Sequence, residues 1–129
     1  MQKNIFRYTP LLFSLSFSSI LFSKNITIDS IDLKTKSNGV IITMNIDSGI
    51  DENDITAWQA NSGWFYITLY KAVGDVQGLK CEGFPPGIID FQLIQGDESF
   101  QIGLRLKRQI ENHDFTFDEN MLNINLRYS

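Results

Sequence analysis

The sequence predicts an all-β protein: a sandwich of two small sheets, about eight strands in all, behind an N-terminal secretory leader. Three observations carry this prediction. Beyond residue 23, apolar and polar residues alternate with a period of two almost everywhere, and no segment repeats at 3.6. Clusters of Gly, Asn, Asp and Ser break the alternation at intervals of about 8–12 residues, the spacing of sandwiches and barrels. About 106 residues remain after the leader, enough for one domain with one core but tight for a barrel enclosing a cavity.

The leader comes first. "MQKNIFRYTPLLFSLSFSSILFS" carries Lys3 and Arg7, then an uncharged run from Tyr8 to Ser23 rich in Leu, Phe, Ile and Ser. A basic start, a short apolar stretch and small residues at its end describe a cleavable signal peptide. Leu11–Phe22 is shorter than the roughly 20 apolar residues that span a bilayer. We therefore expect residues 1–23 to be a leader and 24–129 a single exported domain, with no membrane span once the leader is removed.

In "NITIDSIDLK", Ile26 and Ile28 are followed by Ile31 and Leu33, and this change of phase predicts a bulge near Asp29–Ser30. "SNG" turns the chain at Ser37–Gly39 into a strand lined by Val40, Ile42, Met44 and Ile46. After the polar "DSGIDEND" comes a short strand around Ile55–Trp58. "ANSG" is a tight turn into "WFYITLYK" (Trp64–Lys71), which puts Phe65, Ile67 and Leu69 on one face and Trp64, Tyr66, Thr68 and Tyr70 on the other. "AVGDVQGLKCEGFPPG" reads as the one long irregular segment, because its glycines and Pro85–Pro86 oppose regular pairing. "IIDFQLIQ" follows, apolar at Ile89, Phe91 and Leu93. In "FQIGLRLK", Phe100, Ile102, Leu104 and Leu106 point inward. "HDFTFDEN" and "MLNINLRYS" form a last hairpin with Leu122, Ile124, Leu126 and Tyr128 on one face. The expected edge strands are Ile26–Leu33 and Leu122–Tyr128.

Composition excludes several functions. Losing Lys3 and Arg7 with the leader leaves nine basic residues against fifteen acidic ones, a net charge of about −6. A nucleic-acid binder needs the opposite balance. Cys81 is the one cysteine, so the chain closes no internal disulfide, and a buried thiol is its simplest role. His113 is the one histidine and rules out a two-histidine zinc site; beside Asp114 it reads as a solvated turn residue. In "DSGIDEND" an EF-hand template fails, since Glu52 falls on the glycine position and Trp58 on the bidentate-glutamate position. A looser site shared by Asp47, Asp51 and Asp54 competes there with a plain solvated loop. Neither a phosphate-binding glycine loop nor a Gly-x-Ser-x-Gly elbow occurs. We expect a protein that is not an enzyme and needs no cofactor.

What remains is a surface. If Trp64–Lys71 and Phe100–Lys107 share a sheet, its outward face combines Trp64, Tyr66 and Tyr70 with Gln101, Arg105 and Lys107. Aromatic rings edged by amides and cations suit sugars, peptides or anionic groups, because the rings stack while the rim orients. The competing expectation is that these rings are ordinary β-formers covered by a loop, such as the Pro-Pro segment.

The order of blocks resembles the AMIN domain. "IDSIDLKTKSNGVIITMNIDSGI", "GWFYITLYKA" and "GIIDFQLIQGDESFQIGLRLKR" follow that family's hydrophobic pattern over Ile28–Ile46, Trp64–Ala72 and Ile88–Lys107, and Met121–Arg127 supplies a closing strand. The chain departs from the pattern at "GWFY", where a Pro-Arg pair is common, and in the Cys81–Gly87 loop. The resemblance implies a two-sheet sandwich in the bacterial periplasm, a non-catalytic targeting module of the kind found in cell-wall amidases and in pilus or secretion secretins. Peptidoglycan or an envelope protein is then the expected partner, and Trp64, Tyr66, Tyr70, Arg105 and Lys107 the expected ligand contacts. The alternative is an assembly subunit that pairs through an edge strand with itself or with a larger secretion or pilus machine.

Overall fold

The computed structural model describes residues 25–80 and 83–129, so the expected leader and Cys81 lie outside the described residues. Nine strands form among the described residues: β1 Ile26–Lys36, β2 Gly39–Ile46, β3 Ile55–Gln59, β4 Trp64–Tyr70, β5 Ala72–Gly74, β6 Ile88–Gln95, β7 Ser99–Leu106, β8 Ile110–Asp118 and β9 Met121–Tyr128. They make two sheets, one ordered β5-β1-β2-β9-β8 and the other β3-β4-β7-β6. All pairings are antiparallel except the short parallel pairing of β5 with β1.

Period-two alternation decides which side chains fill the space between the sheets. Val40, Ile42, Met44 and Ile46 of β2 meet Leu122, Ile124 and Leu126 of β9 across one sheet, all buried. Phe65, Ile67 and Leu69 of β4 and Phe100, Ile102, Leu104 and Leu106 of β7 do the same from the other. The predicted phase change in β1 is a register shift between Ile28 and Ser30. At the start of β2, a side chain on Gly39 would fall on the Leu126 carbonyl, so the close approach of β2 to β9 requires glycine there.

Three expectations need correction. The segment after β4 is not wholly irregular: Ala72–Gly74 pairs with Ile26–Ile28, and Val76–Leu79 makes one helical turn that buries Leu79. In β6 the register shifts between Ile88 and Asp90, so Ile88 is buried and Ile89 is exposed. The edges are also different. Leu122–Tyr128 lies between β2 and β8 as an interior strand, and β1 is paired on both sides at Ile26–Ile28. The chain places β8 outside β9 because Ile110–Asp118 forms a nine-residue strand where the sequence suggested a shorter one.

Two glutamine side chains join the sheets at opposite corners. Gln59, at the end of β3, accepts from the Ile110 N–H of β8 at 2.9 Å and donates to the Trp64 carbonyl at 2.9 Å. Gln95, at the end of β6, accepts from the Gly74 N–H at 2.8 Å and donates to the Ala72 carbonyl at 3.1 Å. A primary amide carries the same donor and acceptor as a peptide group. Gln95 therefore occupies the outer side of β5 as a neighbouring strand would. Between β4 and β5, Lys71 at φ 60° is the single residue that carries the chain from one sheet to the other.

A candidate ligand-binding face on the four-stranded sheet

β4 lies between β3 and β7, and its register fixes what stands beside each ring. Tyr66 pairs with Trp58 of β3 on one side and with Gly103 of β7 on the other; Trp64 pairs with Arg105. The turn at Asn61–Gly63 sets this register by bringing Gln59 opposite Phe65. Gly103 has no side chain to raise the surface, and Tyr66 Cε1 and Trp64 Cζ3 lie 3.1 and 3.4 Å from where its Cβ would stand. The rings thus lean over the glycine and cover the backbone it leaves bare.

The result is a connected aromatic patch. The Trp64 and Tyr66 rings are nearly parallel, 9° apart in plane with centroids at 6.0 Å, and the Trp58 ring is tilted against Tyr66 at 5.2 Å. Trp64 and Tyr66 are half-buried, and Trp58 is 52% exposed. Gln92 and Asp90 of β6 register with Gly103 and Arg105 and complete two polar flanks. Asp90 is occupied locally, its carboxylate accepting from the Phe91 N–H at 2.8 Å. Lys71 pairs with Asp54 at 3.9 Å, and among the described residues no ion pair engages Arg105.

The structure brings some of the expected contacts together and separates others. Trp64, Tyr66 and Arg105 share one end of the sheet face. Tyr70 is 42% exposed but pairs with Ser99, six residues along β4 from Trp64, a distance of about 20 Å. It does not belong to the patch. Lys107 is exposed just beyond the end of β7, with its N–H donating to the Gly87 carbonyl at 3.1 Å. Gln101 lies two residues before Gly103, and its amide contacts Thr68 Oγ1 at 3.4 Å. Trp58 was missed because the sequence reading stopped at β3 as an isolated strand; counting back from the "ANSG" turn would have set it beside Tyr66. Phe84, next to the Pro-Pro segment, packs on the inward-facing Phe91 at 6.5 Å.

The acidic loop works for the fold. Asp47 accepts from the Thr27 N–H at 2.9 Å, and Asp51 accepts from the Asn53 N–H at 2.9 Å as the cap of a short 3-10 turn. With Asp54 facing Lys71, each carboxylate of the proposed trio has a local role. Among the described residues, no group of three or more His, Cys, Asp or Glu is placed to hold a metal ion. His113 is not a turn residue but stands within β8, its ring 5.9 Å from Phe65 and 5.4 Å from Phe115.

The fold is an antiparallel β-sandwich whose outer aromatic patch is its most distinctive surface. No family model matches the chain, and no curated protein matches it. Among solved structures it is similar to heat shock protein 16.0 from Schizosaccharomyces pombe, at a TM-score of 0.45 and 16% identity, over 79% of this chain and 86% of that one. At that identity the likeness concerns the fold alone. Among the described residues, no helix is long and apolar enough to cross a membrane.

Proposed function

We propose that this chain is an exported, non-catalytic module of AMIN type that recognises peptidoglycan in the bacterial periplasm through the Trp58–Trp64–Tyr66 patch. The observation that carries the reading is the patch itself: Trp58 and Trp64 each packed on Tyr66 on an outward sheet face, with the Arg105 guanidinium, which no ion pair engages among the described residues, beside them. Sugar rings present apolar C–H faces that stack on aromatic rings, while their hydroxyls need polar groups at the rim. Gln92 and Arg105 supply that rim. The row Trp58–Tyr66–Gly103–Gln92 crosses four strands and spans about 14 Å, longer than one sugar ring. Arg105 places positive charge beside the rings of a largely acidic molecule, which favours a glycan carrying carboxylates, as peptidoglycan does in its stem peptides.

Co-sedimentation with purified peptidoglycan sacculi tests this. The protein should bind saturably, and Trp64→Ala/Tyr66→Ala should weaken binding at least tenfold while keeping a cooperative thermal melt. Absence of saturable binding by the unaltered protein would overturn the glycan reading and direct attention to a protein partner from the envelope.

A further inference from the structure

We propose that β8 is a docking edge for an extended, basic segment of a partner protein, which adds to the five-stranded sheet as its sixth strand. The case begins with how the other edges are closed. β5 has three residues, and Gln95 satisfies its outer backbone groups at Ala72 and Gly74. β3 has five residues. β6 is broken by the register shift at Ile88–Asp90, and its Phe91 N–H is capped by Asp90. Where β1 runs past β5, it carries Lys34 and Lys36. Short strands, bulges and lysines are the usual protections of an open edge.

β8 has fewer of these. It is nine residues long and, among the described residues, pairs on one side alone, with β9. Its irregularity is confined to the start, where Tyr128 meets Ile110 and Arg127 meets Asn112; from Asn112 to Asp118 the register is unbroken. At the far corner the Ile110 N–H is taken by Gln59, and the rest of the strand runs on past that contact.

The two faces of β8 define what would fit. His113, Phe115 and Phe117 register with Leu126, Ile124 and Leu122, which are buried, yet Phe117 is 39% exposed. These inward-facing rings stand at the rim of the core, with no strand beyond them among the described residues. The other face carries Asp114 and Asp118, followed by Glu119 in the turn, and Ile110–Asn120 contains no Lys or Arg. A second copy laid along β8 would bring the same carboxylates against themselves, and like charges across strands are destabilising. A strand alternating Lys or Arg with apolar residues would cover Phe115 and Phe117 on one face and meet Asp114 and Asp118 on the other. Main-chain bonds then give affinity and the alternation gives register, as in strand addition generally.

The probe is a fluorescein-labelled synthetic peptide of ten residues alternating Val and Lys, compared with one alternating Val and Glu. The Val/Lys peptide should bind saturably at low salt and slow hydrogen exchange within Asn112–Asp118. Asp118→Lys/Glu119→Lys, which leaves the Asp114–Asn125 hydrogen bond intact, should weaken it at least tenfold. Equal binding of both peptides, or protection falling on β3 or β6 instead, would overturn the proposal. So would a dimer in sedimentation with β8 already protected, since a second copy would then own the edge.

Discussion

Glu119 is the first of two residues joining β8 to β9 and sits at φ 56°, where a Cβ crowds the backbone. Forcing an L-residue into the left-handed region costs about 1–2 kcal/mol, and glycine avoids most of that. Glycine also loosens the unfolded chain, which offsets about 0.4–1 kcal/mol of the gain. Glu119→Gly should therefore stabilise the domain by about 0.5–1 kcal/mol, and Glu119→Val should lower its stability; paired thermal melts check both. The turn was readable from "DEN" between two alternating runs, but its strain was not. Propensity marks where a chain reverses, whereas the sign of φ follows from how β8 and β9 are held by the rest of the sheet. Lys71 is a similar case, a lysine at φ 60° kept there because the chain must change sheets within one residue.

At the scale of elements, most strands were legible because one face of each is buried, and a slip of one residue would expose the whole apolar set. β2, β4, β7 and β9 show this plainly. β5 and the Val76–Leu79 turn were not legible, since three residues and one helical turn are too short to show a period. β6 misled by one residue because a bulge moved Ile88 inward and Ile89 outward. The candidate site was half readable: alternation put Trp64, Tyr66 and Arg105 on one face, strand order adds Trp58, and distance along β4 removes Tyr70. The corner glutamines left no signal at all, as polar residues at strand ends look like solvated rim. Their effect is testable. Gln95→Leu removes partners of the Ala72 carbonyl and the Gly74 N–H, and an unpaired backbone group costs about 1–3 kcal/mol where it is shielded from water. The expected result is a loss of that order in denaturant unfolding, with faster amide exchange at Gly74. Gln95→Glu keeps the acceptor for Gly74 but sets a carboxylate oxygen against the Ala72, Gly96 and Ser99 carbonyls, so it should restore protection at Gly74 without restoring full stability.

On the whole-molecule scale, the two outer faces of the sandwich differ in chemistry. The five-stranded sheet presents a polar ladder in which Thr43 bonds Asn123 at 2.8 Å, Asn125 bonds Asp114 at 2.7 Å and Asn45 bonds Ser30 at 2.9 Å. Its side chains satisfy one another. The four-stranded sheet presents stacked rings and a cation that has no ion-pair partner among the described residues, and so has more to gain from a ligand. The core holds both sheets in register, and glycine at position 103 lets Trp64 and Tyr66 lean together over β7. The most direct measurement of the central claim is sacculus binding by Gly103→Val, a change that removes no ring and adds a β-favouring side chain under the patch. We predict at least a tenfold loss of affinity with a cooperative melt retained, because the new methyls push Tyr66 and Trp64 out of their arrangement. Binding equal to that of the unaltered protein, with the fold intact, would contradict the assignment of this patch as the glycan-binding surface.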